Sequence, residues 1–263
     1  SFAPLDALID LQAYRLAYWR VAADEINYRR FFDINELAAL RMERAEVFDA
    51  THRLVLDLAA GGKVDGLRID HPDGLLDPAA YFSRLQRRYA ELVSQPGATS
   101  SGDEAAERPL YVVAEKIVAP HEQLPRDWPV HGTTGYRFAN VVNGLFVDPA
   151  AKTRLDRAWR AFVGDEAADF EELAYRCRRL VMATSLSGEL TVLANALLRL
   201  ARADRRTRDF TLNSLRQALA EVVACFPVYR TYVTAKTSSQ DRRFIDWAIG
   251  RAHRRGRAAD ATV

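Results

Sequence analysis

The sequence predicts a mainly α-helical protein with a few parallel strands, and three observations carry that reading. Two short β-rich runs, Val64–Ile69 and Leu110–Ala114, each lead into a carboxylate, Asp70 and Glu115. A helical pattern over Asp77–Leu92 lies between them, giving the order of a parallel βαβ unit. From Asp148 onward every long apolar periodicity fits a helix. In a parallel unit both strand ends reach the same sheet edge, so Asp70 and Glu115 are expected to face each other across a cleft.

Composition sets the bounds. The chain has 263 residues, about half of them apolar, enough for a sizeable core in one or two domains. Its net charge of +2, with arginines interleaved among acids, points to neither a nucleic-acid nor a membrane partner. Cys177 and Cys225 lie in apolar helical patterns and are expected to be buried, reduced thiols. With no signal-like segment and no long uncharged apolar run, the expected location is the cytosol.

Taken in order, Leu5–Ala23 carries apolar residues at helical spacing. Asn27–Glu36 follows, with Arg29-Arg30, Phe31-Phe32 and Asp33. It suits a sugar-facing loop, in which Arg30 and Asp33 bond hydroxyls and rings stack on pyranose faces, and equally a helix-capping loop with a hydrophobic staple. Glu43–Ala59 reads as a helix with Val47, Phe48, His52, Val55 and Leu56 on one side; His52 is expected to be a surface or satisfied core histidine. Gly61-Gly62 ends that helix. After the strand, Pro72-Asp73-Gly74 reverses the chain cheaply, because Pro fixes φ and Gly tolerates unusual φ. Asp77 and Pro78 are N-cap and first residue of the next helix, whose stripe is Tyr81, Leu85, Tyr89 and Leu92. Ser94–Arg108 reads as a polar, weakly ordered loop. Trp128–Phe138 reads as a loop, a poor core and a good rim for a polar ligand. Thr153–Val163, Glu166–Thr184, Ser187–Ala203, Thr211–Phe226 and Gln240–His253 fit helices, and Val228–Val233 an extended run. The expected division is 1–148, carrying the two carboxylates, and 149–263, a helical subdomain.

Two carboxylates on neighbouring strand ends are what retaining glycoside chemistry needs: one attacks the anomeric carbon, the other protonates the leaving oxygen and then acts as base. Arg68, on the same strand face as Asp70, supplies a cation beside the nucleophile, and Tyr111–Ala114 surrounds Glu115 with apolar residues. Strand-end acids also bind metals or cap helices. A metal set of Asp65, Asp70, His71 and Asp73 matches no standard ligand spacing, and neither metal nor cofactor is called for.

Gly66-Leu67-Arg68-Ile69-Asp70-His71 resembles the nucleophile-bearing fourth-strand motif of the α-amylase superfamily, and Ala114-Glu115-Lys116 its fifth-strand acid/base segment. More specifically, Tyr28–Leu37, Asp65–Leu75, Leu124-Pro125 with Trp128-Pro129-Val130, Gly132–Tyr136, Asp209–Asn213 and Cys225–Tyr232 resemble the maltooligosyl trehalose synthase family (glycoside hydrolase family 13). The likeness covers nearly the whole chain. It implies Asp70 as nucleophile, Glu115 as acid/base, Arg68 as the arginine orienting the nucleophile, and His71 on a sugar hydroxyl. It further implies intramolecular transglycosylation of a malto-oligosaccharide, its reducing-end α-1,4 bond becoming α,α-1,1. Such a reaction requires a closed pocket for the released glucose. Trp128, Thr133, Thr134 and Tyr136 are candidates for its rim, with Lys116, Arg30 and Asp33 as further substrate contacts. Pro72 and Arg137 depart from the family pattern, standing where an aliphatic residue and an acid are usual. A full (β/α)8 barrel does not fit here. The chain is therefore expected to be an inactive internal fragment, holding the fourth and fifth strand region plus an inserted helical subdomain, whose partners are the remaining barrel segments. The rivals are an α-glucan hydrolase or 4-α-glucanotransferase, and a non-catalytic α-glucan-binding module indifferent to Asp70→Asn.

Overall fold

A computed structural model describes residues 2–94, 108–164, 169–235 and 237–256. In chain order these form helices α1 (Ala3–Asp10) and α2 (Ala22–Glu25), then strands β1 (Arg30–Phe31) and β2 (Ile34–Ala38). Next come α3 (Ala45–Ala60), β3 (Gly66–Ile69), α4 (Pro78–Val93), β4 (Tyr111–Ala114), β5 (Gly132–Thr133), α5 (Tyr136–Gly144) and α6 (Lys152–Val163). Helices α7 (Phe170–Ala183), α8 (Ser187–Ala203), α9 (Leu212–Ala224) and α10 (Ser239–Arg255) follow. The loop expected at Ser94–Arg108 lies almost wholly outside the described residues.

The chain divides into two compact units, each discontinuous in sequence. One comprises Leu40–Ala167 and Pro227–Phe244, the other Ser1–Ala39, Ala168–Phe226 and Ile245–Val263. A single boundary near 148 was the sequence expectation. The difference arises because Pro227–Phe244 packs with the sheet: Val228 is buried there, and Arg230 and Tyr232 bond the turn that follows β3.

In the sheet unit β3, β4 and β5 form a parallel sheet in that order. The expected strand–helix–strand order is therefore present, with α4 as the crossover. Helix α3 ends as its glycines predict: Gly62 takes a φ of 65° and the Lys63 N–H reaches back to the Leu58 carbonyl at 2.9 Å. Asp77 caps α4, its Oδ1 accepting from the Ala80 N–H at 2.9 Å. Phe48, Leu56, Tyr81, Phe82, Leu85, Val112 and Ala114 pack as one core between α3, α4 and the sheet. His52 is satisfied inside it. It stacks on Phe48, its Nδ1 pairs with the Phe48 carbonyl at 3.0 Å, and its Nε2 pairs with the Tyr81 hydroxyl at 2.7 Å.

Two expectations change in this unit. Trp128–Phe138 is not a single loop: it holds β5 and the start of α5, and Trp128 and Val130 are core residues. Val228–Val233 forms no strand; its polar groups bond side chains and turns instead of a ladder. Gly66 must be glycine, because a Cβ there would lie 2.7 Å from the Tyr111 carbonyl across the β3–β4 pair.

The helical unit is built on α7, α8 and α9. Met182, Leu190, Ala220 and Ala224 form one buried cluster, and Leu198, Ala201 and Leu215 another. Glu221 is buried and bonded by the Tyr175 hydroxyl at 2.6 Å and by Arg179 at 2.5 Å. Burial and that carboxylate push the Tyr175 phenol up to about 12. Cys225 is buried, but Cys177 is exposed. The helix expected over Leu5–Ala23 stops at Asp10; α1 buries no residue, and a helix without a packed face is marginal in water.

Candidate active site

The carboxylates are placed by strand register. In the β3–β4 pair Ile69 stands opposite Ala114, so Asp70 and Glu115 are the next residues on each strand, level with each other at the carboxyl edge. The Glu115 N–H donates to the Ile69 carbonyl at 2.8 Å, and the His71 N–H donates to Glu115 Oε2 at 3.1 Å. Glu115 is thus held by the backbone of the residue that follows Asp70. Asp70 is open, its side chain 63% exposed, and Arg68 Nη1 donates to its Oδ1 at 2.8 Å. The period of 2 along β3 puts Arg68 on the same face as Asp70.

His71 adopts a left-handed backbone, φ 42° and ψ 52°. That conformation is uncommon outside glycine and clusters at functional sites. It turns the His71 amide toward Glu115 and its ring toward Tyr229, whose hydroxyl lies 2.9 Å from Nε2. Gly74 packs on the imidazole, where a Cβ would lie 2.8 Å from Nδ1. Tyr136, the first residue of α5, has its phenol pKa raised by Glu115, as hydrogen-bond acceptor and as charge. Thr133 ends β5, and the Thr134 N–H donates to the Ala114 carbonyl at 3.0 Å. Asp70, Glu115, Arg68, His71, Thr133, Thr134 and Tyr136 therefore gather at one sheet edge.

Four other residues named from sequence sit differently. Lys116 is buried between Asp73 and Glu122. Trp128 is buried against Phe82 and Tyr232. Arg30 and Asp33 belong to the other unit, in the β1–β2 hairpin. There Arg30 is buried, its guanidinium taken up by Glu189 Oε1 at 2.6 Å, Asn35 Oδ1 at 2.8 Å, and the carbonyls of Ser185 and Asp33. Asp33 is exposed at the hairpin turn. Each of these three buried side chains is committed to protein partners, and a hydroxyl would have to displace them.

Sequence reasoning gave no role to Tyr229, Arg230, Tyr232 or Glu122, and named Asp73 only in the turn and in the metal set it set aside. Arg230 Nη1 donates to the carbonyls of Asp73 and Leu75, at 2.9 and 2.6 Å, and Tyr232 donates its hydroxyl to Asp73. The alternation of Val228–Val233 concealed Tyr229, Arg230 and Tyr232. No group of three or more His, Cys, Asp or Glu suited to a metal occurs among the described residues. No single helix among them is long and apolar enough to cross a membrane.

A glycosyltrehalose synthase of strain DSM5389 matches with TM-score 0.69 and 30% identity, covering 100% of this chain and 30% of that one. The particular protein named by the other matches is maltooligosyl trehalose synthase. The solved structure of that enzyme from Arthrobacter ramosus matches with TM-score 0.76 and 33% identity over 98% of this chain and 29% of that one. A Mycobacterium tuberculosis protein, provisionally so named, is 39% identical over 167 residues, 64% of this chain. The chain spans 19% of that relative's length. No protein-family profile matches the sequence.

Proposed function

We propose that the chain is a segment of a maltooligosyl trehalose synthase, in the α-amylase superfamily, and carries two of its catalytic carboxylates. The observation that carries the reading is the register that brings Asp70 and Glu115 level on adjacent parallel strands, in a chain similar to such enzymes. Asp70, oriented by Arg68, attacks the anomeric carbon of the penultimate glucose and forms a glycosyl ester. Glu115 gives its proton to the glycosidic oxygen. The freed glucose stays bound, turns over, and attacks through its own anomeric hydroxyl while Glu115 takes that proton back. The result is an α,α-1,1 bond with retention at the donor carbon. His71, Tyr136 and Tyr229 line the place where the reacting sugars would lie. In this reading β3, β4 and β5 are consecutive strands of a (β/α)8 barrel completed by the rest of the protein, which also supplies the third carboxylate. The 263 residues alone are expected to give no turnover.

The test is to feed the whole protein of this reading frame maltopentaose and to follow reducing ends and free glucose together. Loss of reducing ends with little glucose is the expected result. A rise in reducing ends would assign hydrolysis instead. Reducing ends conserved while chain lengths redistribute would assign a 4-α-glucanotransferase, and no change at all a binding module.

A further inference from the structure

We infer that Lys116 is a positioning residue for Glu115, acting by tying the turn after β3 to the turn after β4; the inference rests on the acid/base role proposed for Glu115. The Lys116 N–H donates to the Ala114 carbonyl at 3.0 Å. A bond from residue i to i−2 closes a three-residue turn, here centred on Glu115. That turn sends successive side chains apart. Glu115 stays at the sheet edge on the His71 N–H, while Lys116 passes into the protein and is 1% exposed.

Inside, the ammonium meets two buried carboxylates, Glu122 Oε1 at 2.8 Å and Asp73 Oδ2 at 3.3 Å. The remaining oxygen of each is also held: Glu122 Oε2 accepts from the Ala119 N–H at 3.1 Å, and Asp73 Oδ1 accepts from the Tyr232 hydroxyl. The Tyr232 ring lies beneath the ammonium, 5.4 Å from its centroid. A buried charge survives only when paired and fully bonded. Here the partners come from different turns, so neither turn can shift without stripping a buried charge. Asp73 follows Asp70 closely and Lys116 adjoins Glu115. The clamp therefore joins the loop that carries the nucleophile to the loop that carries the acid. Removing the ammonium leaves Asp73 and Glu122 facing each other as like charges, which drives the loops apart. Proton transfer is steep in distance, so a displacement of roughly 1 Å is worth on the order of 10²-fold in rate.

The experiment compares Lys116→Met with the unsubstituted whole protein on two donors. A malto-oligosaccharide needs the proton of Glu115 to leave. In α-maltosyl fluoride the carbon–fluorine bond breaks, Asp70 forms the ester, and fluoride departs without a proton. The expected result is a loss of about 10²-fold in kcat on the oligosaccharide, KM staying within about threefold, and a first-turnover fluoride burst also within about threefold. If Lys116→Met does not fold, Tyr232→Phe decides: it keeps the ammonium, loosens Asp73, and is expected to show the same split at about tenfold. Equal losses on both donors, no loss on either, or a raised KM with kcat kept (the pattern of a sugar ligand) would each overturn the role of Lys116. Asp70→Asn separates the two claims, since a fluoride burst that survives it overturns the carboxylate reading itself.

Discussion

Gln86→Leu is expected to destabilise the sheet unit although it makes the core more apolar. Gln86 is buried on α4 and serves three backbone groups. Its Oε1 accepts from the Leu110 N–H at 2.9 Å, and its Nε2 donates to the carbonyls of Leu110 and Pro129, each at 2.9 Å. Leu110 leads into β4 and Pro129 leads toward β5, so one amide fixes the approach of two strands. Each buried polar group left without a partner costs about 1–3 kcal/mol. Three of them cost roughly 3–9 kcal/mol, and burying a leucine side chain recovers about 1.5–3 kcal/mol. The net loss, on the order of 4 kcal/mol at mid-range, corresponds to a fall in Tm of roughly 8–16 °C for a unit of this size. Thermal unfolding by circular dichroism measures the midpoint, and hydrogen exchange at the Leu110 amide reports the local opening. A Gln86→Leu protein with unchanged Tm and a protected Leu110 amide would refute the account, because the three groups would then have found other partners.

Further outcomes are expected. Gly66→Ala places a methyl against the Tyr111 carbonyl and pushes β3 from β4, so soluble yield and activity should fall together, and a fully active variant would show that the strands can separate. Arg68→Leu removes an exposed partner of Asp70, so Tm should move by no more than about 2 °C while glycosyl transfer falls at least tenfold, roughly. His52 has a lowered pKa, chiefly because burial disfavours its charged ring, with the Phe48 carbonyl and Asp49 opposing. The unfolded chain then takes up this proton first, so His52 supports the fold above about pH 6.5 and that support is lost as pH falls. In His52→Gln the acid-side decline in Tm between neutral pH and pH 5 should flatten, and an unchanged decline would place the titration elsewhere.

What was legible in the sequence follows the range of the forces involved. Strand, crossover helix and strand were readable because local signals agreed: the Gly61-Gly62 stop, the Asp77-Pro78 start, and the short apolar runs ending in acids. From that order alone the register of Asp70 and Glu115 could be anticipated, since a parallel pair brings both carboxyl ends to one edge. The late helices were readable to within a few residues for the same reason. Alternation failed where partners lie far along the chain. Val228–Val233 has the pattern of a strand, yet its Arg230 and Tyr232 are occupied by a turn more than 150 residues earlier, and no periodicity encodes that. Nor does periodicity encode which units a segment joins, and so the boundary expected near 148 was replaced by two interleaved units.

The same argument sorts the residues first named as sugar contacts. In sequence, Lys116, Arg30 and Trp128 satisfy two readings equally: groups offered to a polar ligand, or charges and rings consumed in holding the chain's own segments together. Burial and pairing separate them. Lys116 and Arg30 are enclosed and paired with protein groups and Trp128 is enclosed against Phe82 and Tyr232, whereas Asp70, Arg68 and Tyr136 remain open at the sheet edge. A site that must move protons with sub-ångström tolerance needs both kinds. On the proposed function the open residues at the sheet edge would carry the chemistry, while the enclosed Lys116 ties together the turns on which they stand.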